Sequence, residues 1–130
     1  MRYRPSVIAL VSLLVVGCSG VALGERVADC AESGVWTSWH ENGQKKEEGT
    51  YSNEKKEGVW TRWYESGQKL EELTYKNNQL EGVWTTWYEN GQKEYERTCK
   101  DGKINGTFTT WRANGEKYSE RTYNNGKPIN

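Results

Sequence analysis

The sequence predicts an all-β fold, a repetitive antiparallel meander of β-hairpins with about eight strands. First, a phrase of 24 residues occurs four times in succession, beginning at Gly34, Gly58, Gly82 and Gly106. Second, each copy contains two turn signals of the Asn-Gly type, which favour tight hairpins. Third, the segments between the turns are rich in Val, Thr, Trp and Tyr, which are typical of strands. A closed eight-stranded barrel is the alternative, because staggered strands can close on themselves.

The leader that precedes the repeats resembles a secretory signal. A short basic head is followed by an apolar run from Ser6 to Val16, whose 11 residues are too few to span about 30 Å of hydrocarbon as a helix. The segment Leu-Val-Val-Gly before Cys18 is similar to a bacterial lipobox, so we expect Cys18 to be lipidated. The expected location is the cell envelope, on the outer membrane if the host is Gram-negative. Cleavage after Gly24, which would give a secreted or periplasmic protein, is the alternative.

A polar tether separates the leader from the repeat array, which is the one domain of the chain. The tether contains Gly, Ala and charged residues without a strong period, as a flexible spacer does. The predicted boundaries are 1–17 for the signal peptide, 18–33 for the lipidated cysteine and tether, and 34–57, 58–81, 82–105 and 106–130 for the four repeats.

Seven columns of the repeat are identical in all four copies, and an eighth is always aromatic. Because aliphatic residues are scarce in the array, we expect aromatic and β-branched side chains stacked along the sheet to replace a deep core. The columns predicted to have structural roles include Trp36, Trp60, Trp84 and Phe108, then Trp39, Trp63, Trp87 and Trp111, and then Glu48, Glu72, Glu96 and Glu120.

If both turns of a copy are two-residue loops, the pairing of the strands follows from the sequence. Trp39 then faces Lys46 across the first turn, and Glu47 faces Trp60 across the second. The array is expected to shift by two residues per hairpin and to coil. The two tryptophan columns fall on opposite faces, unless a bulge rotates one of them. We also expect Glu48 to accept a hydrogen bond from the Trp39 indole or from a threonine hydroxyl across the ladder.

Composition and motifs argue against several classes of function. The formal net charge is zero, and the chain has no basic stripe of the kind that nucleic-acid binding needs. The one histidine, His40, has no Ser or Cys nucleophile in a motif with it. No cluster of Cys, His or Asp has metal-ligand spacing, and the glycines lie in turns instead of a phosphate loop. We therefore expect no enzyme, no cofactor and no metal.

Columns that differ between copies are freer to specify a partner than identical columns are. Two such columns and a neighbouring lysine column are predicted to form a mixed aromatic and basic surface on one face, since Tyr and Arg are enriched at binding hot spots. The candidate residues are His40, Arg62, Tyr64, Tyr88, Arg112, Lys45, Lys69, Lys93 and Lys117. A solvated ladder of weak cation–π and ion pairs is an equally good interpretation. The copies carry net charges of −1, −1, 0 and +2. This small gradient is weak evidence for an anionic partner, and a solvated face is the favoured interpretation.

The phrase G-x-W-T-x-W-Y-x-N-G-Q-K-x-x-E-x-T-Y-x-N-G resembles the variant MORN repeat of bacteria, over 97 of the 130 residues. Proteins built from this repeat are often grouped with YwqK-type antitoxins of toxin–antitoxin systems. The resemblance implies an elongated β-meander that serves as a binding surface or scaffold.

Together with the leader, this resemblance implies a non-catalytic, membrane-anchored module that binds a protein partner. An exported lipoprotein cannot neutralise a cytoplasmic toxin, so an antitoxin-like role would be immunity against a secreted or periplasmic toxin. The alternative is an envelope module that binds anionic lipid or glycan through the aromatic and basic surface.

Overall fold

The computed structural model describes residues 33–129, which form one antiparallel sheet of ten strands. The strands are β1 Gly34–Trp39, β2 Lys45–Ser52, β3 Lys55–Trp63, β4 Lys69–Lys76, β5 Gln79–Leu80, β6 Gly82–Trp87, β7 Lys93–Lys100, β8 Lys103–Trp111, β9 Lys117–Asn124 and β10 Lys127–Ile129. Their order in the sheet is β1-β2-β3-β4-β6-β7-β8-β9-β10, with β5 paired to β4. The predicted all-β meander is therefore confirmed.

The sheet is open, so the alternative of a closed eight-stranded barrel is wrong. β1 and β10 lie at opposite ends of the strand order, and no pairing joins them within residues 33–129. The ten strands also exceed the eight that the repeat predicts. The additional strands are the short β5, which a break at Glu81 separates from β6, and β10, which continues the meander beyond β9.

The second turn of each copy is the predicted two-residue hairpin. In the first copy both central residues have positive φ, with Asn53 at 50° and Glu54 at 64°, as a type I′ turn requires. The preceding copy also contributes a cap to these turns. The Glu57 carboxylate accepts a hydrogen bond of 2.8 Å from the backbone N–H of Asn77. Equivalent bonds recur between the following copies.

The first turn differs from the prediction because it is longer than two residues. The backbone N–H of Gly43 donates to the His40 carbonyl at 3.0 Å. Within this turn only Gly43 has a positive φ, at 86°, and the register shifts at the end of β1. Trp39 consequently pairs with Lys45 and not with the predicted Lys46.

The register between copies also differs from the prediction, because a bulge follows each second turn. Glu47 pairs with Arg62 and not with Trp60, two residues later than expected. Gly58 lies within this bulge at a φ of 72°, a conformation that costs energy for residues with a Cβ atom. The two extra residues cancel the expected shift, so successive copies lie in register.

The best-packed part of the sheet surrounds Trp60, which is 1% exposed. Its ring stacks on Trp36 with centroids 5.7 Å apart, and Tyr51 and Tyr75 contact it edge-on at 5.0 and 6.3 Å. The ring lies directly over Gly49, where a Cβ atom would be 2.0 Å from the indole. Aromatic packing of this kind replaces the aliphatic core that the sequence lacks.

Candidate functional site

Strand alternation and the observed register assign the side-chain columns to two faces of the sheet. The invariant face carries the five identical side-chain columns that begin with Thr37, Trp39, Lys45, Glu48 and Thr50. The variable face carries the Trp36 column and the columns that change between copies. Its three rows across the sheet are Ser38, Glu47, Arg62, Glu71, Thr86, Tyr95, Thr110 and Ser119; then Trp36, Gly49, Trp60, Leu73, Trp84, Arg97, Phe108 and Arg121; and then Tyr51, Tyr75, Cys99 and Tyr123.

The invariant face is a repeated ladder of short-range contacts. Lys45 Nζ lies 2.6 Å from Glu48 Oε2, and the Thr37 hydroxyl donates to the same oxygen at 3.2 Å. The Lys45 ammonium also lies 5.7 Å from the ring centre of Trp63 in the next copy. The predicted threonine-to-glutamate hydrogen bond is confirmed in copies one, three and four. Each exposed ion pair contributes at most about 1 kcal/mol, so the ladder stabilises the sheet through repetition.

The column that begins with His40 joins neighbouring copies at the first-turn edge of the sheet. His40 Nε2 lies 2.8 Å from the Trp63 carbonyl oxygen, and the Tyr64 and Tyr88 hydroxyls donate to the equivalent carbonyls of the following copies at 2.9 and 3.0 Å. Burial, and then the charge of nearby carboxylates, raises the pKa of the Tyr64 hydroxyl, so it remains a donor at neutral pH. The fourth copy has Arg112 at this position.

The structure divides the nine candidate binding residues among three places. The four lysines lie on the invariant face, Arg62 lies on the variable face, and His40, Tyr64, Tyr88 and Arg112 lie at the first-turn edge. The expectation that arginine and lysine share one face is therefore wrong. Arg62 bonds to Glu71 and Lys69 bonds to Glu72, and adjacent strand residues point to opposite faces. The role of these residues in binding a partner stays a prediction.

In copies one and two the charges of the variable face neutralise one another. Arg62 Nη1 lies 2.9 Å from Glu71 Oε2, and Arg62 Nε lies 3.8 Å from Glu47 Oε1. Lys56 Nζ approaches the same Glu47 oxygen at 3.6 Å. Glu71 is buried, and its hydrogen bond raises the pKa of the Arg62 guanidinium. The Arg62 guanidinium is therefore partnered within the array.

Two arginines on the variable face of copies three and four were not among the candidate residues predicted from the sequence. The guanidinium carbon of Arg97 lies 3.5 Å from the ring centre of Trp84. Arg121 is exposed and pairs with Phe108 in the same row. The available signal is a column that changes from apolar to basic along the array, through Gly49, Leu73, Arg97 and Arg121.

Within residues 33–129 no group of three or more His, Cys, Asp or Glu side chains is placed to hold a metal ion. Cys99 is a buried free thiol, and burial raises its pKa, which makes it a poor nucleophile at neutral pH. A shallow cleft of about 170 Å³ lies beside the second turns and is lined by Lys76, Asn77, Gln79, Glu81 and Asp101.

The predicted features of the leader lie outside the described residues. These are the signal peptide at 1–17, the lipidated Cys18 and all of the tether except Ser33. The part of the chain that the structure describes contains no helix long and apolar enough to cross a membrane.

Comparison with known proteins agrees with the repeat geometry. The model of a family described as MORN repeat variant matches four segments of the chain, residues 32–53, 56–77, 80–101 and 104–125. MORN repeats are generally non-enzymatic modules that bind proteins or membranes. Searches of curated proteins and of solved structures found no match. Since the matched segments make up more than half of the chain and recur at its own 24-residue spacing, the chain belongs to the MORN repeat variant family.

Proposed function

We propose that the chain is a non-catalytic scaffold that binds a protein partner through its variable face and is held at a membrane by a lipid on Cys18. The observation that carries this proposal is the separation of the two faces. The identical side chains lie together on the invariant face, where they bond to one another. The variable face presents different side chains at equivalent positions of successive copies, so it can specify one partner among many.

Bonds between copies support a binding role because they make the sheet a rigid platform. The His40 ring and the Tyr64 and Tyr88 hydroxyls each bond to the backbone of the following copy. Caps at the second turns add further bonds between copies. A surface that is already ordered loses less conformational entropy when a partner binds.

The leader supports attachment to a cell envelope. Its apolar run is followed by the lipobox-like segment at Cys18, and more than one acyl chain is needed for stable anchoring. In that location an antitoxin-like protein would act as an immunity factor against a secreted or periplasmic toxin. Growth with radioactive palmitate should label the wild type but not Cys18→Ala. An unlabelled wild type would contradict the anchor.

Photo-crosslinking tests which face binds the partner. A photoreactive phenylalanine in place of Ser38 lies on the variable face. The matched control has the same group in place of Val59, which lies on the invariant face and is 54% exposed. We expect one protein to be crosslinked from Ser38 and none from Val59. Equal crosslinking from both positions, or crosslinking from Val59 alone, would contradict the proposal. A crosslinked product of a neighbouring toxin gene would support the immunity role.

A module that binds anionic lipid or glycan is the second candidate, and the net charge of +2 in copy four favours it. Co-sedimentation of Cys18→Ala with anionic vesicles or with peptidoglycan distinguishes the two functions. Salt-sensitive pelleting supports lipid or glycan binding, because exposed charges are screened by salt. No pelleting supports the protein-binding scaffold.

A further inference from the structure

We propose that the variable face of copies three and four holds a carboxylate-binding site, formed by Arg97 and Arg121 on either side of Phe108, for an acidic segment of a partner protein. This inference rests on the proposed scaffold function and names the chemistry of the partner.

Arg97 and Arg121 lack the acidic neighbours that neutralise Arg62. Glu47 and Glu71 lie beside Arg62 in the first half of the array. In the second half, Tyr95 and Ser119 occupy the equivalent row positions. Neither Arg97 nor Arg121 takes part in an ion pair within residues 33–129. The Glu94 carboxylate of the same strand as Arg97 accepts a hydrogen bond of 3.2 Å from the Thr86 hydroxyl and forms no ion pair with either arginine. The two guanidinium groups therefore have no carboxylate partner within the described array.

Two hydrogen-bond donors beside Arg97 and Trp84 have no acceptor among the described residues. Arg97 Nε and Trp84 Nε1 are buried, and neither has a hydrogen-bond partner among the described residues. The equivalent indole of Trp60 does have one, the Thr50 carbonyl at 3.2 Å. A buried donor without a partner is unfavourable. This half of the variable face therefore contains two donors, around the Arg97–Trp84 contact, that the described array does not satisfy.

The geometry of the two arginines favours an extended ligand with more than one carboxylate. A planar guanidinium matches a carboxylate through two parallel N–H donors, and the exposed Arg121 can present such a pair to a ligand. Arg97 on β7 and Arg121 on β9 are two strands apart, which corresponds to about 10 Å. Two side chains of one extended acidic segment span this distance, and the Phe108 ring between them can pack against their methylene groups. The spacing favours an acidic peptide over a single phosphate group.

Binding of a fluorescein-labelled hexaglutamate peptide to the full chain in non-ionic detergent tests the site. The double variant R97Q/R121Q should weaken binding at least about tenfold. The control K103Q/K127Q removes the same two charges from exposed lysines of β8 and β10, and it should change affinity less than about threefold.

Two further measurements separate binding from folding. Arg97 packs on Trp84, whereas Arg121 is exposed. Arg121→Gln alone should therefore keep the fold and still weaken binding at least about threefold. The indole N–H resonance of Trp84 should shift when hexaglutamate is added and should not shift with hexaglutamine.

Several outcomes would overturn the site. If R97Q/R121Q and K103Q/K127Q lost affinity for hexaglutamate equally, the overall charge of the protein and not the arginine site would drive binding. Wild-type binding to phosphatidylglycerol vesicles without binding to hexaglutamate would assign the arginines to a lipid headgroup. Absence of hexaglutamate binding, with crosslinking from Ser38 retained, would overturn the carboxylate site alone. Hexaglutamate binding without crosslinking from Ser38, which lies on β1 at the other end of the sheet, would support the site.

Discussion

Replacing Gly49 with alanine should destabilise the protein, because Trp60 occupies the space that a side chain would need. The new Cβ would lie 2.0 Å from Trp60 Cδ2 and 2.2 Å from Cε2, whereas ordinary carbon contacts are about 3.5–4.0 Å long. The indole or strand β2 must therefore move by about 1.5 Å. Movement of the indole is opposed by Trp36, Tyr51 and Tyr75, which pack against it.

The expected decrease in the free energy of unfolding is about 1–3 kcal/mol, the usual cost of overpacking. Gly49 lies in a strand without a positive φ, so backbone strain does not contribute. At such a position without a steric conflict, Gly→Ala would stabilise by about 0.4–1 kcal/mol by restricting the unfolded chain. The sign of the effect therefore tests the contact. For a domain of this size the melting temperature should fall by about 4–8 °C per kcal/mol.

Thermal unfolding followed by circular dichroism and tryptophan fluorescence measures this change. The control Ser52→Ala, at an exposed position of the same strand, should stay within about 0.5 kcal/mol of the wild type. Adding Trp60→Phe to Gly49→Ala should relieve the conflict, with a coupling energy of about 0.5–3 kcal/mol in a double-mutant cycle. A Gly49→Ala variant as stable as the wild type, or strictly additive effects, would refute the packing argument.

Three other side chains provide further tests. Tyr88→Phe removes a hydroxyl bonded to the next copy and should lower the free energy of unfolding in urea by about 0.5–1.5 kcal/mol. Tyr118→Phe, at a ring that is 66% exposed, should change it by less than about 0.5 kcal/mol, and equal effects would count against the bond. The hydrogen bond and charge of Lys117 lower the pKa of Glu120 in the folded protein. The ionised Glu120 therefore stabilises the fold above the pKa of the unfolded chain, about 4.3. This stabilisation is lost as the pH falls through the lower pKa of the folded protein. The urea midpoint of the wild type should therefore drop more than that of Glu120→Gln between about pH 6 and about pH 3; identical drops would exclude this linkage. Cys99 is 4% exposed and should resist iodoacetamide until the protein unfolds, as measured by mass spectrometry of its peptide; rapid labelling of the native protein would contradict its burial.

The fold class and much of the local structure follow from the sequence because they depend on short-range chemistry. Asn53-Glu54 and its equivalents form the expected type I′ turns, since Asn tolerates the left-handed conformation. The hydrogen bond between Thr37 and Glu48 was also predictable, because both lie near a single turn. The register predicted from the sequence did not include the bulges that glycines inside strands produce. Gly58 belongs to an identical column, and such a glycine is a known sign of a bulge.

The sequence by itself determined a meander of hairpins, since a repeated 24-residue phrase places every turn and strand. Only the tertiary structure decided the register between copies, the open sheet and the face on which each column lies. Side chains alternate with a period of two, and each bulge changes which residues face one another. The strand pairing therefore places Arg62 beside an acidic partner and gives Arg97 none. A single segment of the sequence does not determine this pairing, because it depends on the neighbouring strands of the sheet.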